Sequence, residues 1–349
     1  MSTPSLSRIR SRSVVTRLAQ LGVAGVLLTS CTTSAVPSAT PLTGVPSIGI
    51  SVPLQRIGCT LSNTCVALGA NNAGVGPSTV AEYRATSGRW VGLVTPSSVA
   101  AQFNTASCWA SDCLIGGAEA SGNLLWDFHA PSHLVTALAG PIGGVDLVAL
   151  DCVDVDTCIA LDFDAGGALR LSSTLDGGTT WTTPGVIAWA QGDSIGALAC
   201  HSTNDCLVGV NTASGGVVLK VTHDGGTTWS ALDAAASWRS LDAMTCRTRS
   251  CVALVTRGGV QRLVRSTTFG QTWRGADLTA RASALACTSL RRCVLVGAST
   301  TGVPWLAQVS GEVVTVRSLK YVPTPLVDVA CGTTACAAVA VTTVLALRP

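Results

Sequence analysis

The stretch Cys152-VDVDT-Cys158-IAL places two cysteines on either side of a short polar turn, with an apolar run before the pair and another after it. The arrangement occurs seven times, and the first cysteines of successive copies lie 41 to 49 residues apart. The pairs are Cys59 and Cys65, Cys108 and Cys113, Cys152 and Cys158, Cys200 and Cys206, Cys246 and Cys251, Cys287 and Cys293, and Cys331 and Cys336. A period of roughly 20–50 residues is typical of stacked repeats and propellers. Each copy predicts a β-hairpin with one cysteine at each mouth of its loop.

Composition favours one array of strands over two separate domains. The chain has 349 residues, 36 of them glycine, and only 12% are charged. Long amphipathic helices need apolar residues at a 3.6-residue period, and no such pattern follows the N-terminal segment. Seven similar units therefore predict a single all-β domain.

The number of strands predicts a ring. The third unit has four apolar runs, at 145–152, 158–163, 168–173 and 181–187, whereas the last unit has room for only three. An alternating segment at 47–52 precedes the first cysteine pair, so we expect this N-terminal strand to complete the last unit. Closure removes the exposed edges of an open array. The prediction is a seven-bladed β-propeller over 47–349, with four-stranded antiparallel blades.

The fifteen cysteines divide into the seven pairs and Cys31. A zinc interpretation lacks a C-x-x-C motif and has only four histidines available, and separate pairs do not form four-ligand sites. Disulfides within each hairpin, formed in an oxidising compartment, fit the pattern better. We therefore predict no metal and no cofactor.

Residues 1–30 have the features of a bacterial export signal. Four arginines precede an apolar run of 11 residues, Leu18 to Leu28, which is short for a membrane span. Removing this segment leaves 18 basic and 19 acidic residues, a net charge of −1. A near-neutral protein has no basic footprint for nucleic acid, so nucleic-acid binding is disfavoured.

The end of this segment, Leu28-Thr-Ser-Cys31, resembles the lipobox of bacterial lipoproteins. The resemblance implies that Cys31 is lipidated and anchors an extracytoplasmic protein to the cell membrane. Residues 31–46 are rich in Ser, Thr, Pro and Ala, and we expect them to form a flexible tether. The alternative is an ordinary secretory signal that leaves an unpaired cysteine.

A second repeated stretch resembles the Asp box, S/T-x-D-x-G-x-T-W, of sialidases, sortilin-type receptors and photosystem-assembly-factor propellers. One copy comprises Thr174, Asp176, Gly178, Thr180 and Trp181, and another comprises Thr222, Asp224, Gly226, Thr228 and Trp229. A third copy, 266–273, has Thr268 where the aspartate belongs. The resemblance implies that the boxes lie between the third and fourth strands of a blade, away from active sites. We expect both aspartates to be structural, accepting hydrogen bonds from nearby backbone amides.

The resemblance also raises a sialidase-like glycan hydrolase as an alternative. That family uses an arginine triad, a tyrosine nucleophile with a glutamate partner, and an acid/base aspartate. The chain has two tyrosines, Tyr83 and Tyr321, and three glutamates, at 82, 119 and 312. Glu82 and Tyr83 are adjacent on a predicted strand, so their side chains point to opposite faces. The pair cannot act together from there, and enzyme activity stays an open alternative.

Three further groups of residues have spacings that resemble catalytic or metal-binding sites. Residues 192–196 match G-x-S-x-G, but a strand follows where the nucleophile motif needs a helix. Four aspartates around the third pair could bind Ca²⁺ or serve as solvated turn acids: Asp154, Asp156, Asp162 and Asp164. His129 and His133 have helical spacing, but Pro131 lies between them, which disfavours a shared metal site.

The loops between units carry aromatic residues in a chain that has few. Trp189, Trp238 with its neighbour Arg239, and Tyr321 lie on the face opposite to the cysteine hairpins, and such residues are enriched at recognition hot spots. We predict that they contact an envelope protein or a glycan; the alternative is that the rings wedge between blades. The sequence as a whole predicts a monomeric, non-catalytic binding or assembly scaffold, with glycan hydrolysis or glycan binding as the alternative.

Overall fold

The computed structural model confirms an all-β fold. It describes residues 39–41, 53–69, 79–84, 89–96, 101–311, 313–320, 322, 324–341 and 344–347, which all lie in the compact unit 35–349. These residues form 28 strands and one short 3₁₀ helix, Asp233–Ala235. Within them, no helix has the length and apolar character required to cross a membrane. Cys31 and the segment 47–52 lie outside the described residues.

The strands form seven antiparallel four-stranded sheets, the blades of a propeller. Strand β1 is Ala39–Pro41. Blade 1 comprises β2 Leu54–Cys59, β3 Cys65–Gly69, β4 Thr79–Arg84 and β5 Arg89–Gly92. Blade 2 comprises β6 Gln102–Trp109, β7 Asp112–Glu119, β8 Gly122–His129 and β9 Leu134–Ala137. Blade 3 comprises β10 Gly144–Cys152, β11 Cys158–Asp164, β12 Leu169–Thr174 and β13 Thr182–Ile187.

The remaining blades follow the same order. Blade 4 comprises β14 Ser194–Cys200, β15 Cys206–Asn211, β16 Val217–Thr222 and β17 Ser230–Leu232. Blade 5 comprises β18 Ser240–Arg247, β19 Ser250–Arg257, β20 Val260–Ser266 and β21 Arg274–Asp277. Blade 6 comprises β22 Ala282–Ser289, β23 Arg292–Ala298, β24 Pro304–Ser310 and β25 Val313–Ser318. Blade 7 comprises β26 Leu326–Cys331, β27 Cys336–Ala340, β28 Val344–Leu347 and β1.

An N-terminal strand completes the last blade, as predicted, but it is β1 at 39–41 rather than the expected segment at 47–52. It pairs antiparallel with β28 and lies within the stretch that we expected to be a tether. Its Pro41 lacks an amide hydrogen, which an outermost strand tolerates because its outer edge needs no ladder partner. The prediction of the closing strand at 47–52 was wrong. The actual strand has only three residues and ends in a proline, so it has no alternating pattern by which the sequence could identify it.

The hydrophobic core is divided among the contacts between neighbouring blades. Seven apolar clusters of described residues each join the facing sheets of two adjacent blades. The cluster between blades 7 and 1, which includes Leu54, Trp90 and Val339, closes the ring. A blade buries its two faces only against its neighbours, so the ring must close for every blade to be covered.

All seven disulfides lie within their own hairpins, which confirms the predicted pairing. The two cysteines of a pair stand directly opposite each other on the first and second strands, as Cys152 and Cys158 do. Their Cα atoms are 3.9–4.1 Å apart. This spacing suits the narrow, non-hydrogen-bonded positions of an antiparallel ladder, about 4.5 Å, so the disulfides fit the sheet without displacing it.

Two kinds of loop share one side of the ring, which we call the hairpin face. The loop from the third to the fourth strand contacts the cysteine loop of the same blade: the amide of Gly177 donates to Asp156 O (2.9 Å), and that of Gly225 donates to Asn204 O (3.1 Å). The turns from the second to the third strand and the connections between blades lie on the other side, the opposite face. First strands of adjacent blades contact one another around the ring, so they are its innermost strands.

Side-chain oxygens cap the backbone amides along these innermost strands. Thr105 accepts from the amide of Leu150 (3.1 Å) in the next blade, and Ser107 accepts from that of Cys152 (2.9 Å). The carboxylate of Asp151 accepts from the amide of Cys200 (2.6 Å). An innermost strand has no neighbouring strand of its own sheet on its inner edge, so the N–H groups there lack backbone acceptors. These side-chain oxygens supply the acceptors that such amides need.

Blade 7 makes the same kind of contact to blade 1. The amide of Ile57 donates to Asp328 Oδ2 (3.0 Å). Burial raises the pKa of Asp328 to about 6, with the charge of Arg56 and two backbone hydrogen bonds opposing the shift. Burial raises the pKa of Asp151 to about 7, opposed by the Cys200 amide and by Arg247. Both carboxyls therefore bind protons more tightly in the folded protein than in the unfolded chain.

These two acids predict a stability that falls as pH rises. Between about pH 4 and pH 7 the folded protein holds protons that the unfolded chain has released, so the free energy of unfolding decreases across this window. Asp151→Asn combined with Asp328→Asn keeps an acceptor oxygen and removes the titration. We expect the double variant to equal the wild type at pH 4 and to be more stable at pH 8 by several kcal/mol, because each pKa unit corresponds to about 1.4 kcal/mol. Urea unfolding at both pH values tests this; parallel pH profiles for the two proteins would contradict it.

Candidate functional site

A cavity of about 530 Å³ lies on the inner wall of the ring where blades 4, 5 and 6 meet. It is bounded by the starts of first strands and the ends of second strands, which places it at the opposite face. Its lining residues are Ile195, Gly196, Asn211, Leu241, Asp242, Arg281, Ala282, Ser283 and Ala298. The surface of this wall is mainly polar, so the space suits a polar ligand.

Two side-chain amides hold the wall of this cavity in place. Asn211 donates to Leu241 O (3.0 Å) and accepts from the amide of Leu241 (2.8 Å). Gln261 makes the same pair of bonds to Ala282 in the following blade, at 3.0 and 2.6 Å. Each amide side chain thus behaves as one more residue of a ladder and joins two blades. Sequence reasoning missed both, although each lies beside the turn between second and third strands.

The cavity presents three functional groups. The Asp242 carboxylate accepts from Gln261 Nε2 (2.7 Å), which fixes its position. Arg281 and Ser283 are exposed, and no ion pair is found for Arg281 among the described residues. All four histidines lie in or beside hairpin-face loops, away from Ser283. The arrangement suits recognition of polar and charged groups, and it does not pair a serine with a base.

Of the predicted contact residues, the structure buries Trp238 and leaves Trp189 partly exposed. Trp238 is only 4% exposed and packs edge-to-face on Trp273, with ring centroids 5.4 Å apart. Trp189 is half-buried and packs on Phe163 (5.1 Å). Both rings fill gaps in the core, because indoles are large enough to bridge sheets that meet at an angle.

The other two predicted contact residues differ in their placement. Arg239 is exposed on the opposite face, where its Nη1 donates to Gly215 O (3.1 Å) in the neighbouring turn. Tyr321 lies outside the described residues. The prediction of a binding surface on this face therefore depends on the cavity and on Arg239, rather than on the two tryptophans.

The aspartates around the third cysteine pair have separate partners. Asp154 accepts from two amides of its own turn, and Asp164 accepts from the amides of Gly166 and Ala168. Asp162 is fully buried and forms a bidentate ion pair with Arg170 (2.8 and 3.1 Å). Asp156 lies with Asp154 beside a smaller cavity on the hairpin face. The described residues contain no group of three or more potential ligands for a metal ion.

The residues that the sequence suggests as catalytic candidates do not lie together in one site. Glu82 is 1% exposed and contacts Nδ1 of His133 (2.7 Å), whereas Tyr83 packs on Trp90 on the other side of the sheet. His129 pairs instead with Asp112, so the two histidines share no site. Ser194 begins strand β14 and no helix follows it. Of these residues, Ser194 is the one beside the cavity at the opposite face, because Ile195 and Gly196 of its segment line that cavity, and none of the histidines lies there with it.

The two loops that resemble the Asp box, 174–181 and 222–229, have closely matching hydrogen bonds, and we call them the Asp-box loops for that resemblance. In blade 3, Asp176 accepts from Thr174 Oγ1 (2.8 Å) and from the amide and hydroxyl of Thr180 (2.8 and 2.6 Å). These bonds lower the pKa of Asp176 to about 2, the hydroxyl of Thr180 contributing most. Trp181 donates its indole N–H to Gly178 O (3.0 Å) and packs in the cluster between blades 2 and 3.

Blade 4 repeats this network around Asp224, whose pKa is likewise lowered to about 2. Gly226 has a φ of 89°, and a β-carbon there would lie 2.7 Å from Leu171 of the preceding blade. In blade 5, Thr268 replaces the aspartate and its hydroxyl accepts from the amide of Thr272 (3.0 Å). The loops join a blade to its predecessor through glycine and tryptophan, and the aspartate organises the turn.

Comparisons with known proteins support the fold. No protein-family model matches the chain, and no curated protein matches it in sequence. The solved structure of YCF48 bound to D1 peptide matches with a TM-score of 0.61 and 15% identity, covering 90% of this chain and 97% of that one. Virginiamycin B lyase from Staphylococcus aureus matches with a TM-score of 0.62 and 10% identity, over 90% and 99%.

A third match is the GH74 enzyme of Niastella koreensis, with a TM-score of 0.62 and 12% identity. The alignment covers 84% of this chain but only 52% of that enzyme. At identities this low the likeness concerns the propeller fold, which is shared by proteins of different functions.

The Asp-box geometry predicts a graded loss of stability. Asp224→Ala removes the acceptor of three hydrogen bonds, whereas Asp224→Thr reproduces the threonine-centred turn of blade 5. We expect the alanine variant to have the lower melting temperature of the two, and both to melt below the wild type at pH 7. Since the folded pKa is lowered, the contribution of Asp224 is lost as pH falls from about 4 to 2. Thermal unfolding at pH 7 and pH 2 tests both points; an alanine variant that melts like the wild type would contradict them.

Proposed function

We propose that this protein is a non-catalytic binding or assembly scaffold of the cell envelope, anchored outside the cytoplasm through a lipid on Cys31. The export-type segment and the lipobox resemblance support the location. The seven disulfides support it independently, because such bonds persist in oxidising compartments. The expected unit is a monomer.

The observation that carries the binding role is the cavity at the opposite face. Its wall is held by paired amide hydrogen bonds from Asn211 and Gln261, so it needs little rearrangement when a ligand arrives. Its free groups, Asp242, Arg281 and Ser283, can bind a backbone or a charged side chain of a protein segment. We infer that a partner protein inserts a loop or a chain end here.

The comparison with YCF48 supports the class of partner. That propeller is described as bound to a D1 peptide, so a propeller with this fold can hold a segment of another protein. The identity of 15% carries no residue correspondence, and the partner of the present protein is defined only by its polar, chain-like chemistry.

Glycan hydrolysis is the second candidate function, favoured by the Asp-box resemblance. Retaining or inverting glycosidases use two carboxyl groups that flank one scissile bond. The cavity at the opposite face has a single carboxylate, Asp242, among its lining residues. The geometry therefore supports binding better than hydrolysis.

A pull-down from detergent-solubilised envelope tests the proposed site. Arg281→Glu reverses the free charge in the cavity, and we expect at least a tenfold loss of the captured partner. Arg257→Glu makes the same change on an exposed arginine of the opposite face outside the cavity, and capture should persist. Equal capture by the two variants would contradict the cavity as the binding site.

The same preparations separate the two functions. With a fluorogenic sialoside or a panel of aryl glycosides, we expect no turnover above the background of unfolded protein. Turnover that Asp242→Asn abolishes would support the hydrolase instead.

A further inference from the structure

Four exposed arginines cluster on the hairpin face of blades 5 and 6. Each blade contributes two from its cysteine loop: Arg247, Arg249, Arg291 and Arg292. Within the described part of the chain none of the four forms an ion pair. We call these four residues the arginine sector. Arg247 lies near enough to Asp151 to lower the pKa of that carboxyl, and the guanidinium groups of Arg249, Arg291 and Arg292 are exposed to anions from outside the molecule.

The backbone beneath the arginine sector is held firmly. A disulfide closes each of the two loops, Cys246–Cys251 and Cys287–Cys293. The amide of Phe269 donates to Arg249 O (2.8 Å), and that of Gly311 donates to Arg291 O (2.8 Å). The positive charges therefore lie at fixed positions on one side of the ring.

The hairpin-face loops of the three blades that precede blade 5 carry the opposite charge. These loops of blades 2, 3 and 4 hold the acids: Asp112, Asp154, Asp156, Asp176, Asp205 and Asp224. The face is thus polarised, with the acidic loops on one side and the arginine sector on the other. A negatively charged surface would attract blades 5 and 6 and repel blades 2 to 4, which sets a preferred tilt.

The path of the chain brings the N-terminal segment to this same face. One cross-strand row of blade 7 runs Cys331, Cys336, Leu347 and Ala39, so Ala39 lies level with the disulfide at the hairpin face. Strand β1 then runs away from that face toward Pro41. The chain therefore enters β1 at the hairpin face, on the blade next to blade 6.

Sequence distance limits how far the proposed anchor can be from the ring. Cys31 lies eight positions before Ala39. Even fully extended, these residues span at most about 28 Å, at roughly 3.5 Å per residue. A lipid on Cys31 would hold the hairpin face close to the bilayer and leave the cavity of the opposite face directed away from it.

We infer that the arginine sector docks on an anionic lipid surface. The inference rests on the anchoring part of the proposed function, because the anchor brings this face to the membrane. Exposed basic residues beside a bilayer gain affinity from anionic headgroups, and the effect weakens with salt. Membrane contact is favoured over an acidic protein because β1, which follows the proposed anchor in the chain, begins at the same face.

Vesicle sedimentation tests the inference without the anchor. The full chain carrying Cys31→Ser is mixed with phosphatidylcholine vesicles that contain or lack phosphatidylglycerol. We expect binding only to the anionic vesicles, and its loss at high salt. In this background Arg249→Glu, Arg291→Glu and Arg292→Glu together should weaken binding on the order of a hundredfold, from about fivefold for each arginine.

The matched control changes three exposed basic residues away from the hairpin face: Arg257→Glu, Arg317→Glu and Lys320→Glu. It alters the net charge equally, and vesicle binding should be retained. Equal losses in the two triple variants would overturn the inference, because net charge alone would then explain them. Tighter binding to soluble glycerol phosphate or to polyglutamate than to vesicles would also overturn it, and would assign the sector to free anions or to an acidic protein.

A separate measurement tests the proposed lipid anchor on its own. Mass spectrometry of the wild-type chain from the membrane fraction reports whether Cys31 carries lipid. An unmodified Cys31 would contradict the anchoring in the proposed function, whatever the vesicles show. A lipidated chain whose Cys31→Ser form ignores anionic vesicles would overturn only the docking surface.

Discussion

A four-stranded blade has two apolar faces and no interior of its own, and this constraint governs the whole molecule. The buried side chains form seven clusters, each shared by two neighbouring blades. Burying a leucine or valine contributes roughly 1.5–3 kcal/mol, but only when the facing sheet is present. An open array would leave a terminal face uncovered. The contact between blades 7 and 1 is therefore a requirement of burial.

The cysteine pairs crosslink the two inner strands of each blade, which lie nearest the centre of the ring. They fix the register of the first and second strands, and the first strands line the centre of the ring. With that register fixed, acceptors such as Ser107, Asp151 and Asp328 reach amides at corresponding positions of the next blade. Local crosslinks thereby support contacts between units distant in sequence.

The same organisation divides the two faces between different tasks. The hairpin face has crosslinked loops with the sectors of opposite charge, and β1 begins at it. The opposite face has the cavity, whose wall is held by Asn211 and Gln261. In the function that we propose, the hairpin face is held at a membrane and the opposite face presents the binding site.

Features that depend on a local, repeated pattern could be predicted from the sequence, whereas features formed between blades could not. The repeat of Cys152 and Cys158 specified the fold class, the number of blades and the pairing of sulfurs, because those features follow from local pattern and period. The closing strand was assigned to the wrong segment, since three residues ending in Pro41 have no periodicity. The sequence predicts Trp238 as a contact residue, but the ring is buried in the cluster between blades 4 and 5, and this burial depends on the neighbouring blade. The cavity groups Asp242 and Arg281 come together only across blades, and no spacing in the sequence reveals them.

Mapping the disulfides tests the central claim most directly, because the ring, the register and the rigid hairpin face all follow from sulfurs that pair within their own blade. Non-reducing proteolysis with mass spectrometry should yield seven crosslinked peptides, each joining the two cysteines of a single repeat. A peptide joining cysteines of different repeats, such as Cys158 and Cys200, would contradict the account.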